Sequence, residues 1–208
     1  MGTLRNFNLA PIIEQAGVVS LFETGTSSGD GVQYARHFIF DEIWSVEIVD
    51  EIAQRARQRF AGDSRVHILN ATSEDALMRV LPAIAPSKPI LFWLDAHFPG
   101  ADDGLRGYKD EQDQDKRLPL ARELDIIAGC RTQGRDVILI DDLRIYEDGP
   151  FEQGPLPDWA QTLAPEQRNL DFILTSRWAV THDLRRIYTH TGYLMLVPKQ
   201  ADSVRLAA

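Results

Sequence analysis

Two short runs carry the side chains best suited to chemistry. Leu94-Asp-Ala-His97 and Ile140-Asp-Asp142 each close a stretch of apolar residues, so three carboxylates and an imidazole stand at what read as strand ends. Carboxylate oxygens suit hard cations such as Mg²⁺, Mn²⁺ or Ca²⁺ better than zinc, and a neutral imidazole can take a proton near pH 7. A third run, Leu21-Phe-Glu-Thr-Gly-Thr-Ser-Ser-Gly-Asp-Gly31, is rich in glycine, which lets a ligand approach bare backbone and tolerates positive φ. It holds the acid Glu23 and no Lys or Arg, and a second acid, Glu47, ends the next apolar run. Its glycine spacing matches neither the dinucleotide fingerprint nor a phosphate loop. An acidic turn without a cation suits a zwitterionic, nucleotide-like ligand better than a pyrophosphate.

The elements that must hold these residues alternate between strand and helix, the pattern of an α/β fold with a mostly parallel sheet. Residues 3–16 predict an N-terminal helix and 18–24 the first strand, which enters the glycine turn and then a helix opening at Val32. Further strands are predicted at Glu42–Glu47, Val66–Leu69, Pro89–Leu94 and Asp136–Ile140, with helices at Val49–Phe60, Ser73–Leu81 (capped by Ser73 or Thr72) and Leu118–Ile127. The tail holds an apolar run at Phe172–Thr175. Leu184–Tyr188 and Tyr193–Val197 flank Thr189-His-Thr-Gly192 and predict a hairpin. Ligands in open parallel sheets lie beyond the carboxyl ends of the strands. There the five predicted strands end in Glu23, Glu47, Asn70-Ala-Thr-Ser73, Asp95-Ala-His97 and Asp141-Asp142. Two long loops, the charge-rich 98–117 and the proline-bearing 146–165, are expected to flank the site. Tyr108, Tyr146 and Trp159 in or beside them are candidates to line an acceptor pocket. Phe92 and Trp93 read as core, and His182 and His190 as surface residues.

The bulk composition narrows the class. At 208 residues, with 44% hydrophobic and 25% charged residues, the chain is expected to form one soluble domain with a sizeable core. A net charge of −9 argues against a broad nucleic-acid footprint, which needs a basic face. The one cysteine, Cys130, rules out an intrachain disulfide and is expected to pack near a helix end. No run reaches the roughly 18 apolar residues of a membrane helix. No secretory signal pattern opens the chain, so a cytoplasmic location is expected. The expected partner is a small molecule, with no nucleic acid and no membrane; self-association is left open.

Glu23-Thr-Gly-Thr-Ser-Ser-Gly-Asp-Gly31 with Glu47 after the second strand resembles the S-adenosylmethionine site of class I methyltransferases, and the resemblance runs over roughly 17–197. It implies a Rossmann-like, doubly wound sheet of about seven strands ending in an antiparallel hairpin. It implies S-adenosylmethionine as cofactor, with Glu23, Thr24, Gly25, Thr26, Ser28 and Gly29 at the methionine end, Glu47 and Ile48 at the ribose, and Ala71, Thr72 and Ser73 near the adenine. Asp95 would also lie against the cofactor. The acids after strands four and five are further similar to those of metal-dependent O-methyltransferases that act on sugar hydroxyls. That resemblance implies Asp95, Asp141 and Asp142 as ligands of a divalent metal, Mg²⁺ being expected, and Asp95 and His97 as catalytic residues, with His97 the base. Two other readings stay open: a metal-dependent hydrolase using the same Asp/His rim, and a cofactor-binding protein without catalysis.

Overall fold

The computed structural model describes residues 3–101, 103–157, 163 and 167–199. Asp102, Trp159 and Pro165, each within one of the two long loops, lie outside them. One seven-stranded sheet organises the chain, in the order β3-β2-β1-β4-β5-β7-β6. Its strands are β1 (Ser20–Thr24), β2 (Glu42–Glu47), β3 (Val66–Asn70), β4 (Ile90–Leu94), β5 (Val137–Ile140), β6 (His182–Ile187) and β7 (Tyr193–Pro198). Strands β1 to β5 run parallel, and β7 inserts antiparallel between β5 and β6. This is the Rossmann-like sheet with a terminal hairpin that the sequence predicts, and the hairpin register pairs Ile187 with Tyr193.

The helices are α1 (Leu9–Ala16), α2 (Asp30–Ala35), α3 (Asp50–Phe60), α4 (Ser73–Val80), α5 (Gln114–Arg117), α6 (Leu120–Cys130), α7 (Asp171–Leu174) and α8 (Arg177–Thr181). They cover both faces, which is why β1, β4 and β5 are buried along their whole length and read as continuous apolar runs. Strand alternation divides the core in two. Phe22, Phe92, Ile138 and Leu196 face Leu77 of α4 and Leu124 and Ile127 of α6. Leu21, Leu91, Leu139 and Met195 face Ile12 of α1, Val32 of α2 and Ala53 and Phe60 of α3. Phe92 and Trp93 are core residues on opposite faces, as expected.

Local signals fix the boundaries that matter for the site. Thr72 caps α4 by accepting from Asp75 N at 3.1 Å, which settles the choice between Thr72 and Ser73. Residues 172–174 of the apolar run fall in the short helix α7, with Thr175 as its C-cap. Cys130 is half-buried at the last turn of α6, where it was expected. His182 departs from expectation: it is fully buried at the start of β6 rather than on the surface. Trp178 packs edge-on against its ring at 5.1 Å, and its nitrogens meet the Thr181 hydroxyl at 2.7 Å and the Asp136 carbonyl at 3.0 Å. These neighbours come from α8 and from the residue before β5, so only the tertiary fold encloses the ring. His190 is half-buried in the hairpin turn at φ 54°. Among the described residues no helix is long and apolar enough to cross a membrane.

Candidate active site

The carboxyl ends of β1 to β4 open on a cleft with about 1060 Å³ of free space, counting its mouth. Gly25, at φ 84°, carries the chain out of β1. A Cβ there would stand 2.4 Å from the Asp95 carbonyl oxygen, so the turn can lie against β4 only with glycine. Gly31 leaves room for a side chain instead: a Cβ there would stand 1.8 Å from Glu23 Oε1. Gly29, at φ 80°, caps α2 from the left-handed region and packs on Phe60.

Glu47 ends β2 with both oxygens engaged by backbone. Ser27 N donates to Oε2 at 3.1 Å and Val49 N to Oε1 at 2.9 Å. Burial raises its pKa, the two N–H donors work against that rise, and the Asp103 charge adds to it. Asn70 at the end of β3 holds the following turn by donating to the carbonyls of Glu47 and Ile48. The cleft wall therefore has one fixed carboxylate with lone pairs to spare, beside the apolar surfaces of Val46, Ile48 and Ala71.

Of the residues the sequence assigns to a cofactor, Gly25, Glu47, Ile48, Ala71, Thr72, Ser73 and Asp95 line this cleft. Glu23, Thr24, Thr26, Ser28 and Gly29 do not, and their atoms serve the turn itself. Ser45 donates to Glu23 at 2.5 Å and lies 2.7 Å from the Thr26 hydroxyl, while Thr24 Oγ1 accepts from Asp95 N at 3.3 Å. The Ser28 carbonyl accepts from Arg59. Burial pushes the Glu23 carboxyl up to about 8 against the Ser45 hydrogen bond, with the Glu47 and Asp30 charges adding to the rise. Ser27 lines the cleft in place of its neighbours and stands at φ 45°. Its position after a Gly-Thr pair gave no signal of that in sequence.

Described residues of segment 98–117 line one side of the cleft. The Phe98 N–H donates to the Arg117 carbonyl at 3.1 Å, which ties the two ends of the loop together. The Arg117 guanidinium lies 5.3 Å over the Phe98 ring, and Tyr108 packs edge-on against that ring at 5.7 Å. Phe98, Pro99, Gly100, Asp103, Asp113, Asp115 and Lys116 face the cleft. With Glu47, Glu74 and Asp95 they make its wall strongly acidic, Lys116 being the lysine among them. Glu74, in the first turn of α4, and these loop residues are absent from the sequence-based assignment, because only the tertiary fold brings them to the cleft. The described part of the second loop behaves differently: Tyr146, Phe151, Leu156 and Leu163 are buried in the core.

The second cluster lies beside the cleft, at the ends of β4 and β5. His97 Nδ1 is 3.4 Å from Asp95 Oδ1, and Nε2 is 3.0 Å from Asp142 Oδ2. Burial alone would lower the imidazole pKa, but the Asp142 hydrogen bond and the charges of Asp142, Asp95 and Asp141 outweigh it and push it up to about 10. Asp95 is raised, first by burial and then by Asp141. Asp142 is lowered, because its bond to His97 and the nearby Arg144 overcome the cost of burial. Asp142 holds φ 50°, and Thr191 from the hairpin turn donates to Asp141 at 3.5 Å. Strained residues at strand ends thus recur around the site, at Ser27, Phe98 and Asp142.

Oxygen donors of this kind have the right chemistry for a divalent cation, but their arrangement does not fit one. Among the described residues no three His, Cys, Asp or Glu side chains form a group able to hold a metal ion. The ligand set Asp95, Asp141 and Asp142 stays an expectation; in the present arrangement the imidazole of His97 stands between Asp95 and Asp142. Without a cation among them, these carboxylates favour the protonated form of His97 over the neutral one.

Comparison with known proteins supports the architecture. No family model matches the sequence, and no curated protein matches it. Solved structures do. The S-adenosylhomocysteine-bound methyltransferase PaMTH1 of Podospora anserina aligns at 16% identity over 91% of this chain and 75% of its own, with a TM-score of 0.59. A Staphylococcus aureus protein provisionally named a caffeoyl-CoA O-methyltransferase aligns at 12% identity over 96% of this chain and 85% of its own, also at 0.59. Human methyltransferase-like protein 13, solved with S-adenosylhomocysteine, aligns at 16% identity over 95% and 78%, at 0.51. The chain has the Rossmann-like fold of these methyltransferases.

Proposed function

We propose that this chain is an S-adenosylmethionine-dependent methyltransferase acting on a hydroxyl of a small acceptor. The observation that carries the reading is that the fixed Glu47 carboxylate and the His97–carboxylate cluster meet on one rim, with Glu47, Asp95 and His97 lining the same cleft. The cleft residues fit the cofactor. Glu47 has lone pairs for ribose hydroxyls, Val46, Ile48 and Ala71 offer apolar contact for a base, and the acidic wall suits a sulfonium and an ammonium group. When bound, S-adenosylmethionine supplies an electrophilic methyl group.

The residues of the chain then have three tasks. Glu47 orients the ribose and the Gly25–Ser27 turn the methionine end of the cofactor. Segment 98–117 excludes water from the cleft. The cluster of Asp95, His97 and Asp142 takes the acceptor's hydroxyl proton, which belongs to the coupled group rather than to one side chain. A hydroxyl has a pKa far above 7, so transfer is slow unless that proton has somewhere to go. An acceptor with adjacent hydroxyls, a catechol or vicinal diol, could hydrogen-bond to two members of the cluster.

Isothermal titration with S-adenosylhomocysteine tests the cofactor assignment, run with Mg²⁺ and with EDTA. Micromolar binding in both is the expected result; absence of binding in both overturns the reading. Release of S-adenosylhomocysteine with catechol and diol acceptors then tests the reaction. Turnover abolished by EDTA and restored by Mg²⁺ would show that a metal, rather than the imidazole, supplies the positive charge.

A further inference from the structure

Glu123 is a buried acid to which the proposed reaction gives no part. It lies in α6 with 1% of its surface exposed, yet Oε1 has no hydrogen-bond partner among the described residues. An unmet buried carboxylate oxygen is costly, and native structures seldom leave one so. Burial pushes the carboxyl up to about 7, although hydrogen bonds from the Ser73 and Thr24 hydroxyls pull it back. Ser73 lines the cleft and Thr24 receives the Asp95 N–H, so one side of Glu123 supports the cleft floor.

Its other side meets a small cavity. Pro119 and Leu120 from the start of α6, Leu94 and Ala96 of β4 and its exit, and Ile140 of β5 form the apolar part of the wall. Glu123, Asp141, Tyr146 and His97 form the polar part. The space is about 10 Å³, enough for the centre of one water. A water is stably held where such a space offers two to four polar partners, and this one does. Apolar filling is disfavoured, because it would leave Glu123 Oε1 unmet.

We propose that this cavity binds a single water held by Glu123 Oε1, Asp141 and Tyr146, and that Glu123 is thereby a positioning residue for the His97–carboxylate cluster. The water would fix the Asp141 side chain from behind, opposite the Thr191 hydroxyl that donates to it. Asp141 in turn faces His97 through its charge. Glu123 would not touch the acceptor. The positioning role rests on the methyl-transfer reading, whereas the water site does not.

A high-resolution crystal structure of the full chain with S-adenosylhomocysteine is the direct test. The expected result is one peak within hydrogen-bond distance of Glu123 Oε1, kept in Glu123→Gln and lost in Glu123→Leu. An empty cavity overturns the proposal, as does a peak ligated by carboxylates at about 2.1 Å, which would be a metal ion. The solution readout is the imidazole ¹⁵N signals of His97 at a fixed pH, assigned with His97→Gln. Glu123→Leu should move them, and Glu123→Gln, which keeps the water, should leave them close to their wild-type positions. Unmoved signals would make Glu123 merely structural. If Glu123→Leu does not fold, Tyr146→Phe serves the same test: it removes one partner of the water and should also move the His97 signals. Loss of S-adenosylhomocysteine binding by the wild type would count against the methyl-transfer reading alone, since the density in the cavity is independent of it.

Discussion

The glycine turn and the imidazole–carboxylate cluster sit on the same rim but are built in opposite ways. The turn is local: Gly25, Ser27, Gly29 and Gly31 come from seven consecutive residues, and the acid they meet, Glu47, ends the neighbouring strand. Its geometry is set by backbone, with two N–H groups on one carboxylate and a glycine that a methyl group would displace. The cluster is assembled from β4, β5 and the hairpin, through side chains from Asp95 to Thr191. Its geometry is set by charge, three carboxylates around one buried imidazole. A backbone-built site is rigid and intolerant of added atoms, whereas a charge-built site is tolerant of shape and intolerant of a change in ionisation.

Variants at the two regions should separate along that line. The largest effect is expected from His97→Gln, which removes the positive partner of Asp95 and Asp142. Turnover should fall roughly 10²- to 10⁴-fold, the usual range for a lost acid–base group, while calorimetric S-adenosylhomocysteine affinity stays unchanged. Equal losses in both would erase the contrast between the regions. Gly25→Ala should do the reverse to the fold: left-handed strain and the contact with the Asp95 backbone should cost at least about 2 kcal/mol in denaturant unfolding, and cofactor binding should be lost with it. A stable Gly25→Ala protein would mean that the turn can move away from β4.

Glu47→Gln is milder, since the side chain keeps its length but must place an NH₂ against one of two N–H donors. A loss of about 1.4 kcal/mol, or tenfold in S-adenosylhomocysteine affinity, is expected by titration. The most specific effect, and the one farthest from turnover, concerns pH. Glu123 titrates near 4.5 when unfolded and at about 7 when folded, so the native state holds the extra proton between those values. Stability from this group is complete below the unfolded value, declines as pH rises through that window and is gone above the folded value, a swing on the order of 3 kcal/mol. Thermal unfolding of Glu123→Gln between pH 4.5 and 7.5 should lack that slope, and an identical slope in both proteins would mean the carboxyl is not shifted.

Much of this molecule is written locally. The near-continuous apolar runs and the helical runs between them dictate a parallel sheet covered on both faces, and β2 falls on the predicted Glu42–Glu47 because an acid bounds the run at each end. The glycines and Glu47 are legible because a strand-to-helix turn must be short and its chemistry contiguous. The same holds for Asp95, His97 and Asp142 as residues, since strand ends in a parallel sheet share a rim. What they form together was not legible. Whether three carboxylates converge on an ion or on an imidazole depends on where His97 turns, and that depends on burial and on Asp142 at φ 50°. The inward face of segment 98–117, the supporting rather than lining role of Glu23, and the enclosure of His182 and Glu123 belong to the same class. Each depends on neighbours distant in sequence, and burial, which sets both packing and ionisation, exists only once those neighbours have met.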